Sequence, residues 1–183
     1  AFSKADVVVI VGTPFDFRMG YGKRIKVPTL VQIDLSYNIV GKNRDVDLGI
    51  AGDPGAVCRA VLQAAGGRLK NDKRQARKAW MKLLNEAEDA ALEKLMPTFL
   101  SEQTPIHPYR VAYEINEFLT DDTIYIGDGG DVVTISAQAV RPRAPGNWMD
   151  PGALGSLGVG TGFAMAAGLA HPNKEVLCYY GDG

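Results

Sequence analysis

Four short polar runs each follow an apolar stretch directly: Gly12-Thr13, Ile33-Asp34, Gly127 to Asp131, and Gly181-Asp182-Gly183. In an open parallel sheet, ligands bind in the crevice at the carboxyl ends of strands, and all four runs stand at such junctions. Glycine lets the backbone approach a ligand closely and adopt positive φ. The carboxylate of Asp182 is a hard oxygen donor suited to Mg²⁺, which is commonly held by one or two carboxylates plus phosphate oxygens. Amides in a glycine loop can cradle an anion, and Asp34, closing a strand, is placed to accept from ribose hydroxyls. Taken singly, each run is weak, and a Gly-Asp-Gly after a strand is more often a turn than a metal site.

The most unusual stretch is Gly152-Ala153-Leu154-Gly155-Ser156-Leu157-Gly158-Val159-Gly160-Thr161-Gly162. Gly costs roughly 0.8–1.0 kcal/mol relative to Ala inside a helix, so a helix starting here is weak on propensity alone. Gly158, Gly162 and Ala166 recur at i, i+4 and would give a flat face for close approach of a backbone or ligand. Close helix packing alone is the alternative.

These residues need elements to position them. Asp6 to Gly12 is a continuous apolar run, as expected of a parallel strand buried on both faces. Thr29 to Asp34 gives a second strand. Asp53-Pro54 reads as an N-cap followed by Pro at the first helical position. Val57, Val61 and Ala65 share a helix face, and Gly66-Gly67 ends that helix. Further on, Arg68, Lys70, Lys73, Arg74, Arg77 and Lys78 precede Trp80, Leu83, Leu84, Ala87 and Ala91 at helical spacing, with Asp72 as N-cap. With no net positive charge in the chain, this basic cluster reads as the solvated face of a linking helix and not as a nucleic-acid patch. Pro97, Pro105 and Pro108 place a boundary near 97–106. A helix at Tyr109 to Leu119, a strand at Thr123 to Ile126, a Gly/Pro-rich loop at Arg141 to Gly155, a helix at Leu157 to Ala170 and a strand at Glu175 to Tyr180 follow. The fold class is α/β, with parts of two parallel-sheet domains. The divisions are 1–66, a helical linker over 67–105, and 106–183. A final strand with no covering helix suggests a segment of a longer polypeptide.

The 183 residues carry 20 basic against 21 acidic side chains, a balance that argues against nucleic-acid or membrane-surface binding. No apolar run approaches the roughly 20 residues needed to span a bilayer. Cys58 and Cys178 are too few for a disulfide framework, which fits a reducing cytosol and a cytoplasmic location. His107 and His171 both precede Pro in apparent turns and read as structural.

Together, Gly152 to Ala164, then Ala170-His171-Pro172, then Val176 to Gly183, resemble the thiamine diphosphate-binding domain of the acetolactate synthase/decarboxylase superfamily. Pro105 to Pro108 resembles the entry to that domain. Gly12-Thr13-Pro14-Phe15-Asp16-Phe17-Arg18, Gln32-Ile33-Asp34 and Gly52-Asp53 resemble the family's Rossmann-like central domain, which often binds FAD or ADP. The order and spacing of several pieces match together, over nearly the whole chain.

The resemblance implies roles residue by residue. The carbonyl of Gly155 would accept from the cofactor's 4′-amino group, the amide of Leu157 would reach a ring nitrogen, and the Leu157 side chain would fold the cofactor into a V. Ser156 lies between them. Gly129, Gly130 and Asp131 match the loop near the diphosphate, Asp131 through its backbone only, since a carboxylate beside an anion repels it. Gly181, Asp182 and Gly183 would form the metal loop, with Asp182 the first protein ligand of Mg²⁺. The cofactor brings its own carbon nucleophile, so the protein's task is orientation. No catalytic side chain is expected in this segment: the activating glutamate belongs to the family's N-terminal domain, usually from a partner subunit. A homodimer or homotetramer with its active site at the subunit interface is therefore expected, and the isolated segment should be inactive.

In the central part, Gly12, Thr13, Asp16, Arg18, Asp34, Leu35 and Asp53 would contact a nucleotide. Acetolactate synthases usually carry Arg where this chain has Pro14, which counts against FAD. Asp16-Phe17-Arg18 with Gly20-Tyr21-Gly22 looks more like the 2-hydroxyacyl-CoA lyases, which hold ADP or a CoA adenine part. The implied activity is cleavage of a 2-hydroxyacyl-CoA to a carbonyl compound and formyl-CoA. The alternatives are an acetolactate synthase-type carboligase with FAD and a noncatalytic nucleotide-binding module.

Overall fold

The computed structural model describes residues 2–66, 68 and 73–182. Predicted features at Gly67, Lys70, Asp72 and Gly183 lie outside the described residues. The chain forms two compact units, Ala1–Ala90 and Ala91–Gly183.

The first unit is built on a three-stranded parallel sheet of β1 (Val7–Val11), β2 (Thr29–Asp34) and β3 (Leu48–Ala51), in that spatial order. Val11 lies beside Ile33, and Asp34 beside Ala51, so the three strands end together. Val8, Ile10 and Leu30 pack with Phe15 and Ile25 into one core. The expectation that β1 is buried on both faces fails. Val7, Val9 and Val11 are 43–51% exposed, because an unbroken valine run records apolarity but not whether anything covers the second face.

Helix α1 (Pro54–Ala65) starts as predicted, with Asp53 Oδ1 accepting from the Ala56 amide at 2.6 Å and Pro54 in the first turn. Its face is less covered than the spacing suggested, with Val57 half-buried and Val61 exposed. Helix α2 (Arg74–Phe99) runs through Pro97, which the sequence alone marks as a break. Pro97 lies in the last turn, where only a single backbone bond is forfeited. Arg74, Arg77 and Lys78 stand exposed along it. No described helix is long and apolar enough to cross a membrane.

In the second unit α3 (Pro108–Phe118) begins at His107, whose Nδ1 accepts from the Tyr109 amide at 3.2 Å. The histidine before proline is thus an N-cap, in keeping with its structural reading. Strand β4 (Ile124–Gly127) is buried throughout and central in a parallel sheet of order β5-β4-β6. Helix α4 (Gly130–Ala139) follows it, then β5 (Trp148–Met149), α5 (Val159–Ala170) and β6 (Val176–Tyr179). One face of the sheet packs Tyr125 with Leu119, Val140, Ile115 and Trp148. The other packs Ile124 and Ile126 against Phe163, Ala164 and Ala167 of α5.

Candidate functional site

Parallel pairing brings the exits of β4, β5 and β6 to one edge of the second sheet. Tyr125 and Ile126 lie beside Trp148 and Met149, and Gly127 lies beside Tyr179. The loops leaving these strands hold most of the predicted cofactor residues: Gly129 and Gly130 after β4, Gly155 to Leu157 after β5, and Gly181-Asp182 after β6.

Two of these loops touch. Gly129 has φ +94°, and a Cβ there would stand 2.9 Å from Leu157 Cδ2 and 3.2 Å from the Ser156 carbonyl oxygen. Only glycine satisfies both the left-handed backbone and the missing space. Leu157 is 63% exposed, so its side chain lies over the 129–130 loop and still presents apolar surface outward. Gly155, in the left-handed region, closes the short 3-10 turn Gly152–Leu154. Asp150 anchors the start of this loop, accepting from Trp148 Nε1 at 2.9 Å and from the Gly152 amide at 2.6 Å.

The residue that joins the frame is Asp128, to which sequence reasoning gave no role. It is buried, and its carboxylate accepts from the Gly158 amide at 3.1 Å and the Gly160 amide at 2.5 Å. Gly158 is the N-cap of α5 and has no side chain to cap with. Asp128 therefore supplies that cap from another loop, which explains how a glycine-rich sequence starts a helix at all. A carboxylate at a helix N-terminus also meets the positive end of the helix dipole. The Asp128 amide donates to the Tyr179 carbonyl at 3.1 Å, and the Tyr180 hydroxyl donates to Thr161 Oγ1 at 3.3 Å, so the β6 exit joins the same frame.

The flat face predicted at Gly158, Gly162 and Ala166 is not the one that packs on the sheet. A Cβ at Gly158 or Gly162 would meet nothing within 4 Å, whereas one at Gly160 would lie 2.8 Å from Cys178 Sγ and 3.0 Å from Asp128. The face that packs on the sheet is Gly160, Phe163, Ala164 and Ala167, one i, i+3, i+4, i+7 stripe. Burial pushes the Cys178 thiol up from its ordinary range, which keeps it protonated and inert beside Gly160. Burial likewise pushes the Tyr125 hydroxyl up to about 12, and that hydroxyl bonds Ser136 Oγ at 2.5 Å.

As a donor set, the edge offers glycine-loop backbone and the start of α4, whose N-cap Gly129 makes no side-chain cap bond. Asp182 is exposed on the β6 exit, a single hard oxygen donor. Among the described residues no group of three or more His, Cys, Asp or Glu could enclose a metal, so Asp182 fits only as one ligand of a cation completed by other donors. Asp131 lies exposed in the first turn of α4. A broad groove of about 730 Å³ beside α3 is lined by residues such as Ile106, Val111, Phe118 and Leu177 and includes none of the predicted site residues.

In the first unit the predicted nucleotide residues also gather at a carboxyl edge. Gly12 follows β1 and donates its amide to the Ile33 carbonyl at 2.9 Å, Asp34 ends β2 with Leu35 next after it, and Asp53 follows β3. Buried Gln32 reaches the Thr13 carbonyl at 3.3 Å and accepts from the Gly41 amide at 2.8 Å, fixing the loop from beneath. The Asp16 carboxylate is occupied by Arg18: Nε donates to both oxygens at 3.0–3.1 Å and Nη2 to Oδ2 at 2.6 Å. Those hydrogen bonds hold Asp16 below the usual carboxylate range against the opposing effect of burial. Asp34 accepts from the Ser36 amide at 2.9 Å, and Leu35 is largely exposed.

Two family descriptions match this chain: "Thiamine pyrophosphate enzyme, central domain" over residues 1–61, and "Thiamine pyrophosphate enzyme, C-terminal TPP binding domain" over residues 128–183. The chain is 35% identical over its whole length to 2-hydroxyacyl-CoA lyase 2 of Danio rerio and of Homo sapiens, covering 30% and 29% of those proteins. It is 34% identical over its whole length to the acetolactate synthase large subunit IlvG of Mycobacterium tuberculosis, covering 32% of it. The chain thus spans less than a third of the length of these relatives. With both sheets, both glycine-lined edges and both family matches in agreement, the chain belongs to the thiamine pyrophosphate enzymes and carries parts of their central and cofactor-binding domains.

Proposed function

We propose that the whole protein is a thiamine diphosphate- and Mg²⁺-dependent carbon–carbon lyase that cleaves a 2-hydroxyacyl-CoA to a carbonyl compound and formyl-CoA. The observation that carries this reading is the meeting of the 129–130, 155–157 and 181–182 loops at one carboxyl edge. Thiamine diphosphate, when bound, supplies the carbon nucleophile and the electron sink. This chain's residues would hold it: Gly155 and Leu157 the aminopyrimidine, Gly129 and Gly130 the diphosphate, and Asp182 one position on Mg²⁺. Asp128 and Asp131 add negative charge to the same edge, so a diphosphate there calls for a cation, which supports the Mg²⁺ assignment.

The lyase is preferred over an acetolactate synthase on two grounds: the similarity to proteins called 2-hydroxyacyl-CoA lyase 2, and Pro14 in place of the expected arginine. ADP is accordingly favoured over FAD for the Gly12, Thr13, Asp16, Arg18, Asp34, Leu35 and Asp53 edge. A cytoplasmic homodimer or homotetramer completes this reading, with domain divisions at 1–66, 67–105 and 106–183. The test is full-length protein supplied with thiamine diphosphate, Mg²⁺ and a 2-hydroxyacyl-CoA. Formyl-CoA should appear, and the purified protein should show no flavin absorbance. Stoichiometric bound flavin with acetolactate formed from pyruvate would overturn the lyase assignment.

A further inference from the structure

The geometry points to Asp128 as a positioning residue for cofactor binding, acting through the Gly155–Gly160 segment. The inference rests on the thiamine diphosphate reading above and adds a residue to it. Asp128 touches none of the atoms expected to face a ligand. Its two oxygens divide between the Gly158 and Gly160 amides, the two donors that fix where α5 begins. Leu157 and Gly155 lie one and three residues before the first of these, on a chain with glycine at 152, 155, 158, 160 and 162. Such a stretch has little stiffness of its own, since each glycine adds backbone freedom. Its geometry must come from outside, and the Asp128 clasp and the contact of Leu157 with the 129–130 loop supply it.

The clasp is specific in shape as well as charge. A Cβ at Gly160 would already crowd Asp128 and Cys178, so the clasp needs glycine at position 160 for α5 to approach β4 this closely. Asparagine has the same shape, but one arm of it is an amino group, which cannot accept from a second backbone amide. Asp128→Asn therefore keeps the packing and breaks the bidentate cap. Outer-shell partners that orient metal ligands typically change affinity by about 10–100-fold when altered, and the Asp128 clasp stands in the analogous relation to the Gly155–Leu157 loop.

The experiment is titration of full-length protein with thiamine diphosphate at saturating Mg²⁺. Calorimetry gives the affinity, and circular dichroism reports the bound aminopyrimidine. Wild type must bind; if it does not, the cofactor reading itself falls. Given binding, Asp128→Asn should weaken affinity by about tenfold or more and alter the dichroism of the cofactor that still binds. Tyr125→Phe, which removes the buried bond to Ser136 in the same unit, controls for general destabilisation and should leave affinity unchanged. Equal affinity for wild type and Asp128→Asn, or an equal loss in Tyr125→Phe, overturns the proposal. Should Asp128→Asn fail to fold, Asp128→Ser takes its place with the same expected loss. In wild type without cofactor, the Gly158 and Gly160 amides should exchange slowly with solvent, and fast exchange would also overturn it.

Discussion

The two sheets are built alike and finished differently. Each has three parallel strands whose carboxyl ends release loops rich in Gly and Asp. At the first edge every candidate carboxylate bonds within three residues of itself: Asp16 to Arg18, Asp34 to the Ser36 amide, and Asp53 to the Ala56 amide. At the second edge Asp128 accepts from amides 30 and 32 residues away. Short-range bonds of the first kind shape single turns. The first edge's loops are tied instead by side-chain amides, Gln32 to the Thr13 carbonyl and the Gly41 amide, and Asn43 to the Phe15 carbonyl. Long-range bonds of the second kind make several loops one frame, set before any ligand arrives. The cores differ in the same sense, since β1 leaves one face open while β4 is covered on both.

The sharpest way to break the comparison is to wedge the frame apart. Gly160→Val places atoms where even a Cβ meets Cys178 Sγ at 2.8 Å, and should cost about 1–3 kcal/mol in urea unfolding. Gly162→Val, facing open space, should be neutral or stabilising by a few tenths of a kcal/mol, roughly the margin by which Val exceeds Gly in helix propensity. Equal costs would mean that α5 does not pack as described. Next in size, Tyr125→Phe should lose about 1–2 kcal/mol by orphaning the Ser136 hydroxyl. Its pH dependence has a definite sign. The unfolded tyrosine ionises near 10.0 while the folded one holds its proton to about 12, so stability is full below pH 10 and falls between the two values. That alkaline slope should shrink in Tyr125→Phe.

Smaller effects are expected at the first edge. Asp16→Asn should cost about 1 kcal/mol or less, because Arg18 is partly solvent-exposed and its charge is screened. The Asp16 carboxyl is lowered from 3.8, so its contribution is present above that pH and is lost as pH falls below it through the folded value. Acid titration of the variant should lack this step. Asp53→Ala, removing the α1 cap, should cost about 0.5–1 kcal/mol and leave thiamine diphosphate affinity unchanged. A change in that affinity would show that the two edges are coupled.

Much of this architecture can be read from residue order. Thr29–Asp34 is a strand with the predicted bounds, and Asp53-Pro54 opens a helix as its residue types require. The helix at 108–118 and the strands at 124–127 and 176–179 differ from expectation only by a residue or two. What escaped reading depends on contacts distant in sequence. β3 is four residues long and β5 two, too short for any period to register. Helix α4 starts on two glycines and carries Val132, Val133 and Ile135, a composition that does not announce a helix. The clasp was hidden because Asp128 resembles any loop aspartate until the fold brings Gly158 and Gly160 to it. For the same reason the sequence does not reveal that the packed face of α5 runs through Gly160.

Binding of thiamine diphosphate and Mg²⁺ by the full-length protein, wild type against Asp182→Ala, tests the central assignment most directly. Asp182 is an exposed hard oxygen donor on the β6 exit, at the carboxyl edge that also releases the 129–130 and 155–157 loops. Calorimetry should show Mg²⁺-dependent binding in wild type and a loss of about tenfold or more in Asp182→Ala. Unchanged, Mg²⁺-dependent affinity in the variant would contradict the assignment of the second edge as the cofactor site.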